Sequence, residues 1–141
     1  MRLKKTVMIL GAVVLASLAQ GSTGKLFLCF DDRNFNGWES SIPLFTKYKA
    51  HATFFISGPI DDRAITCMRR LKDAGHSLGL HGLKHRRAPE ALRELGPERY
   101  LSEEVLPQIA AARNAGFNIR NWAYPYSTRT AATDTALMRH F

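Results

Sequence analysis

Apolar and polar positions fall along this chain in alternating blocks, and the blocks predict strands and helices in turn. Residues 26–30 (Leu, Phe, Leu, Cys, Phe) form an unbroken apolar run of strand length. Such a run predicts a strand buried on both faces of a parallel sheet. A polar loop, residues 33–37, leads to an expected helix over about residues 39–49. Residues 52–56, rich in Phe and β-formers, predict a second strand broken by Gly58 and Pro59. Asp61 suits the N-cap of a helix carrying Ile65, Met68 and Leu71 to a stop at Gly75. Residues 77–80 predict a short third strand. Residues 97–115 predict a long helix, kinked at Pro107 and stopped by Gly116. Residues 119–124 predict a fourth strand, and another helix begins at Ala131. Strand-then-helix units repeated in this way predict an α/β fold, a parallel sheet with right-handed crossovers.

The first 19 residues stand apart from that pattern. Arg2, Lys4 and Lys5 precede an apolar stretch, Val7 to Ala19, which is shorter than the ~20 residues a membrane span needs. Ser17 and Ala19 fit the −3 and −1 positions of a signal-peptide cleavage site, so residues 1–19 predict export with no stable membrane span after cleavage. Residues 20–24 then form a short neck, and residues 25–141 the domain. The localisation expected is periplasmic, extracellular or cell-wall associated.

Composition adds limits. The chain has 141 residues, 45% apolar and 23% charged, as expected of one globular domain. Its formal charge is +8; without the three basic residues of the leader, 17 basic face 12 acidic residues, about +5. Those basic residues are scattered and not interleaved with aromatics, so nucleic acid is not an expected partner. Cys29 falls in the first predicted strand and Cys67 in a helix, which predicts two separate buried thiols.

Chemistry-bearing residues gather where strands end. Asp31 and Asp32 are adjacent carboxylates at the mouth of the first strand. Alternation along a strand sends them to opposite sides unless the backbone bends. A bound cation or a proton transfer would give such a pair a purpose. His51 and His76 each precede a strand, so they fall at the other end of the sheet and read as structural. His81 and His85 leave the third strand on the same side as the Asp pair, because functional loops collect at the C-terminal ends of parallel strands. Two imidazoles and one carboxylate would make a three-ligand divalent-metal site with room for water. Tyr124, Pro125 and Tyr126 bring aromatic rings to the same rim, and the Tyr126 amide could serve as an oxyanion donor. Trp122 reads as a core residue.

Phe30, Asp31 and Asp32, then His81 to His85, then Tyr124, Pro125 and Tyr126, in this order and spacing, resemble the first three motifs of the polysaccharide deacetylases. This is the chitooligosaccharide-deacetylase-like group, carbohydrate esterase family four. Ala52 to Phe55 and the pair Gly75 and His76 are similar to that family as well. The resemblance implies a distorted (β/α) barrel, here a partial one of about four parallel strands. It also implies a metal-dependent enzyme that removes N-acetyl groups from amino-sugar glycans. Carried over, Asp31 is the general base, Asp32, His81 and His85 hold a divalent metal (zinc, with cobalt or manganese as alternatives), and Tyr126 offers its amide to the oxyanion. Three departures accompany it. Ala123 stands where the family often has a base-orienting Arg, for which Arg129 is a candidate substitute. Ser127 stands where a Gly is common. The later motifs, including the Leu-x-Leu-His that supplies a general acid, have no counterpart, so a truncated domain is expected. Two other readings fit the same residues: an inactive glycan-binding or scaffold remnant, and a metal hydrolase of another amide or ester.

Overall fold

The computed structural model describes residues 26–141. The expected leader and neck, residues 1–24, lie outside them. A three-stranded parallel sheet, β1 (Cys29–Asp32), β2 (Thr53–Ile56) and β3 (Ser77–Leu80), runs in the order β1-β2-β3. Helix α1 (Phe35–Tyr48) joins the first pair of strands and α2 (Asp62–Asp73) the second. Beyond β3 come α3 (Ala88–Tyr100), a π-helical turn (Leu101–Val105), α4 (Leu106–Asn114), a 3-10 turn (Pro125–Ser127) and α5 (Ala131–Leu137). The expected α/β architecture with parallel pairing is what forms.

Local chemistry explains the boundaries. The Asp61 side chain accepts from the Ala64 N–H at 2.8 Å and caps α2, as its position predicts. Asn34 caps α1 through the Gly37 N–H, so that helix begins at Phe35, earlier than the expected residue 39. The long helix expected from residue 97 is longer and interrupted. It begins at Ala88, breaks at Gly96 (φ 75°, ψ 167°) and restarts at Pro97. The kink expected at Pro107 takes the form of the π turn just before it. Proline has no N–H to give the carbonyl one turn back, and a widened turn relieves that defect.

Two expectations about strands fail. The first strand is exposed along its length and Cys29 with it, because among the described residues β1 pairs only with β2 and lies at the sheet edge. Cys67 is buried as expected, its thiol pushed up to about 11 by burial, and both cysteines are free. The fourth strand is reduced to a single parallel bridge between Leu80 and Trp122. The Leu80 N–H donates to Asn121 O (2.9 Å) and the Ala123 N–H to Leu80 O (3.0 Å). A continuing ladder would next use the Leu78 carbonyl, but the Asn121 side-chain Nδ2 occupies it at 3.2 Å. On the other side Pro125 turns the chain away.

The main core lies between β2 and helices α1 and α2. Phe54, Ile56, Met68, Leu71 and Leu80 are fully buried there. Phe54 stacks on Phe30 (5.3 Å between centroids) and meets Trp38 (5.2 Å) and His76 (5.2 Å). A second cluster, Ala88, Ala91, Tyr100, Val105 and Leu137, packs α3 and α5 together. Trp122 and Phe141 pack against both clusters, which gives Trp122 its expected core role.

His76 is structural, as its place before a strand predicts. Its Nδ1 accepts from the Ala52 N–H at 3.2 Å, so the proton sits on Nε2, which is buried without a partner among the described residues. Burial, and then the neighbouring His51, hold its pKa below the ordinary 6.5.

Truncating Phe54 to Ala should cost about 3–5 kcal/mol in urea unfolding, the range for a fully buried ring. His76 gives a pH signature. The unfolded chain takes up a proton near pH ~6.5 while the folded ring stays neutral, so this contribution is present above that pH and fades as pH falls. The stability gap between wild type and His76→Gln should therefore narrow on acidification below about 6.5; a gap constant with pH would contradict the assignment.

Candidate metal centre

The three strands end on one rim, and their exit loops build the site. Register pairs Asp32 with Ile56 and Ile56 with Leu80, so Asp32 and the residue after Leu80 flank the end of β2. Two strand spacings, ~10 Å between backbones, remain for side chains to span. The residue between them is the small, buried Ser57, whose N–H donates to Asp32 O at 3.1 Å.

The strand bends where the adjacent carboxylates require it. Phe30 faces the core ring of Phe54, and simple alternation would return Asp32 to that side. Asp32 instead adopts a φ of 82°. Its Oδ1 then lies 3.2 Å from His85 Nε2 and 3.8 Å from His81 Nε2. Just beyond it, Arg33 fastens the loop by donating to Ser57 O (2.8 Å), Pro59 O (2.6 Å) and Asp61 Oδ2 (2.8 Å). Asp31 is exposed, and among the described residues its carboxylate makes no hydrogen bond or ion pair.

The two imidazoles are oriented differently. His81 is buried, and its Nδ1 lies 2.9 Å from the carbonyl of Ala123. A carbonyl can only accept, so Nδ1 carries the proton and Nε2 turns its lone pair toward Asp32. The lone Leu80–Trp122 bridge thus has a use, because it delivers Ala123 to that position. His85 is half-buried with a φ of 53°, and its ring lies 4.8 Å from that of His81 and 4.8 Å from that of Tyr126. One ligand atom from each of Asp32, His81 and His85 falls within a mutual 4.8 Å. Ligands bound tetrahedrally at ~2.0–2.2 Å sit about 3.4 Å apart. The two distances from Asp32, 3.2 and 3.8 Å, bracket that spacing, and the donors, two imidazoles and one carboxylate, suit a divalent ion. The side chains present therefore fit a metal.

The third motif contributes backbone and one ring. Pro125 is buried, so it shapes the turn and offers no surface. The Tyr124 hydroxyl donates to Asp134 Oδ1 at 2.9 Å and is pushed up to about 12 by burial and that bond, so this ring faces α5. Arg129 also pairs with Asp134, which removes it as a partner for Asp31. Tyr126 stays at the rim, 54% exposed, with the Arg87 guanidinium 4.3 Å above its ring. Its φ is 58° and that of Ser127 53°, and among the described residues the Tyr126 N–H has no backbone acceptor. Of the five non-glycine residues at positive φ among the described residues, four (Asp32, His85, Tyr126, Ser127) belong to this rim; the other, Lys49, is a helix C-cap. Each such conformation costs roughly 1–3 kcal/mol, and it persists only where neighbours impose it.

Sequence reasoning passed over two of those neighbours. Glu104 and Gln108 are buried polar residues on the π turn and α4, facing the loop after β3. The available signal was a polar pair spaced i, i+4 within the apolar stripe Leu101, Val105, Ile109 and Ala112.

Known proteins share this outline. The family model described as polysaccharide deacetylase matches residues 19–140. A family 4 carbohydrate esterase from Streptomyces lividans, solved in complex with acetate, superposes with a TM-score of 0.70 at 22% identity, over 84% of this chain and 60% of that one. The peptidoglycan deacetylase PdaC of Bacillus subtilis gives 0.64 at 22% identity, over 77% and 52%. An esterase of the same family from Streptococcus mutans gives 0.62 at 29% identity, over 80% and 51%. The chain thus spans about half the length of the solved structures it resembles.

Gly82, at φ 89°, occupies a conformation that side chains resist, and a Cβ there would meet Pro125 Cγ at 3.3 Å. Gly82→Ala should therefore lower stability by about 1–2 kcal/mol, read as a fall in thermal midpoint; an unchanged midpoint would show that the loop relaxes freely.

Proposed function

Because the chain belongs to the polysaccharide deacetylase family, we propose that it serves in metal-dependent removal of N-acetyl groups from amino-sugar glycans. Asp32, His81 and His85 hold a divalent ion, zinc by preference, with cobalt and manganese compatible with the same donors. The observation that carries this reading is the convergence of Asp32 Oδ1 and the two Nε2 atoms at 3.2 and 3.8 Å. A chance loop pair would not require a strained backbone at both Asp32 and His85.

When bound, a divalent ion supplies Lewis acidity toward an acyl oxygen and acidifies a water molecule. The chain's residues supply the rest. Asp31, exposed beside Asp32 and free of other partners among the described residues, takes the proton from the attacking water as general base. The Tyr126 N–H donates to the oxygen on which negative charge develops. The exposed Tyr126 ring, backed by His85 and Arg87, gives a sugar ring a flat apolar surface. As the C–N bond breaks, the departing nitrogen takes up a proton, the one held on Asp31 or one from solvent, and acetate and a free sugar amine are the products. The start of the chain, with Arg2, Lys4 and Lys5 before an apolar stretch, fits delivery to the cell envelope, where such glycans lie. Among the described residues no helix is long and apolar enough to cross a membrane.

The test is acetate release from N-acetylated chitooligosaccharides by the purified chain, with and without added zinc. Asp31→Asn should lower kcat by about 10²–10⁴ with zinc still bound, whereas Asp32→Ala or His85→Ala should weaken zinc binding itself. Zinc uptake and glycan binding without acetate release would favour a binding protein. Release from acetate esters alone would move the substrate to another acyl group.

A further inference from the structure

Four consecutive backbone N–H groups of the loop after β3 are held. His81 N–H donates to Ile56 O (2.9 Å) and Gly82 N–H to Gln108 Oε1 (3.1 Å). Leu83 N–H donates to Glu104 O (3.1 Å) and Lys84 N–H to Glu104 Oε2 (2.8 Å). Gln108 also donates through Nε2 to Ile56 O (3.1 Å) and Gly58 O (2.6 Å), which ties this loop to the one after β2.

Stability alone does not account for Glu104. It is 2% exposed, its Oε1 has no partner among the described residues, and burial raises its carboxyl above the usual range. The nearby Lys84 ammonium pairs with Glu103 instead, at 2.8 Å. A buried carboxylate without a paired cation costs more than an apolar residue of the same size would. What it holds is a loop whose next residue, His85, is at a φ of 53°. The π turn is part of the same device. From one residue of that turn, the Glu104 carbonyl accepts from Leu83 and the Glu104 side chain from Lys84.

We infer that Glu104 is a positioning residue for the two imidazoles: by gripping the Leu83 and Lys84 N–H groups it sets the direction of His85 relative to His81. Gln108, on the Gly82 N–H, supports the same loop. This inference rests on the reading of Asp32, His81 and His85 as a metal site.

Two substitutions in the full chain separate a positioning role from a packing one. Glu104→Met fills the space without an acceptor, and Glu104→Gln keeps an oxygen for the Lys84 N–H. Zinc affinity is read by competition with a chromophoric chelator, and amide hydrogen exchange of residues 82–85 by NMR. E104M should weaken zinc binding about 10–100-fold and speed exchange at Leu83 and Lys84, while E104Q stays close to wild type on both. Wild-type zinc affinity and unchanged loop exchange in E104M would overturn the inference, as would equal weakening in both variants. If the wild-type chain takes up no zinc, the metal reading itself fails. The exchange rates then judge the grip alone, faster exchange in E104M upholding it and unchanged exchange overturning it.

Discussion

Parallel pairing of three short strands in one register is the constraint on which the rest of this molecule depends. It brings Asp32, the end of β2 and His81 to a common edge although they are distant in sequence. Pairing alone leaves the two outer strands too far apart for backbone contact, so the gap must be crossed by side chains over a small central residue, Ser57. The core beneath supplies the rigidity. Phe54 and Ile56 of β2 are fully buried, and their packing against α1 and α2 fixes the platform from which the site side chains reach.

Above that platform the backbone is held in conformations it would not choose. Asp32, His85, Tyr126 and Ser127 lie at positive φ, and the loops that carry Asp32 and His85 are tied by neighbours. Arg33 fastens the loop after β1, Glu104 and Gln108 grip the loop after β3, and the Ala123 carbonyl selects the tautomer of His81. Strain concentrated in one place and offset by buried polar contacts is the pattern of a functional site. The polar contacts also explain how an exposed edge strand can carry a site residue: β1 contributes one bent carboxylate, and the Arg33 anchor beside it sets its position.

Much of this was legible in the amino-acid order. The caps and stops at Asp61, Gly75 and Gly116 are local chemistry and act where they stand. The alternation of strand and helix fixed the sheet direction, and direction sorted His81 and His85 from His51 and His76. Strand geometry required a bend if Asp31 and Asp32 were to share a side, and Asp32 does leave the strand conformation, at a φ of 82°. What failed depended on distant partners. The apolar run at residues 26–30 reads as buried, yet its exposure was decided by which strands lie beside it. The expected fourth strand was ended by one side chain, Asn121, taking the carbonyl a ladder would have used. Arg129 was available in sequence to orient Asp31, but Asp134 claims it. Glu104 and Gln108 were passed over because burial of a polar pair shows only once the π turn has aimed it inward.

The chemistry proposed for this rim requires a divalent ion shared by Asp32, His81 and His85. X-ray absorption at the zinc edge on the zinc-loaded chain tests this directly, because imidazole rings leave a characteristic outer-shell scattering. A first shell of nitrogen and oxygen with scattering from two imidazoles, reduced to one in His85→Ala, is the expected result. A shell without imidazole scattering, or one unaltered by that substitution, would contradict it.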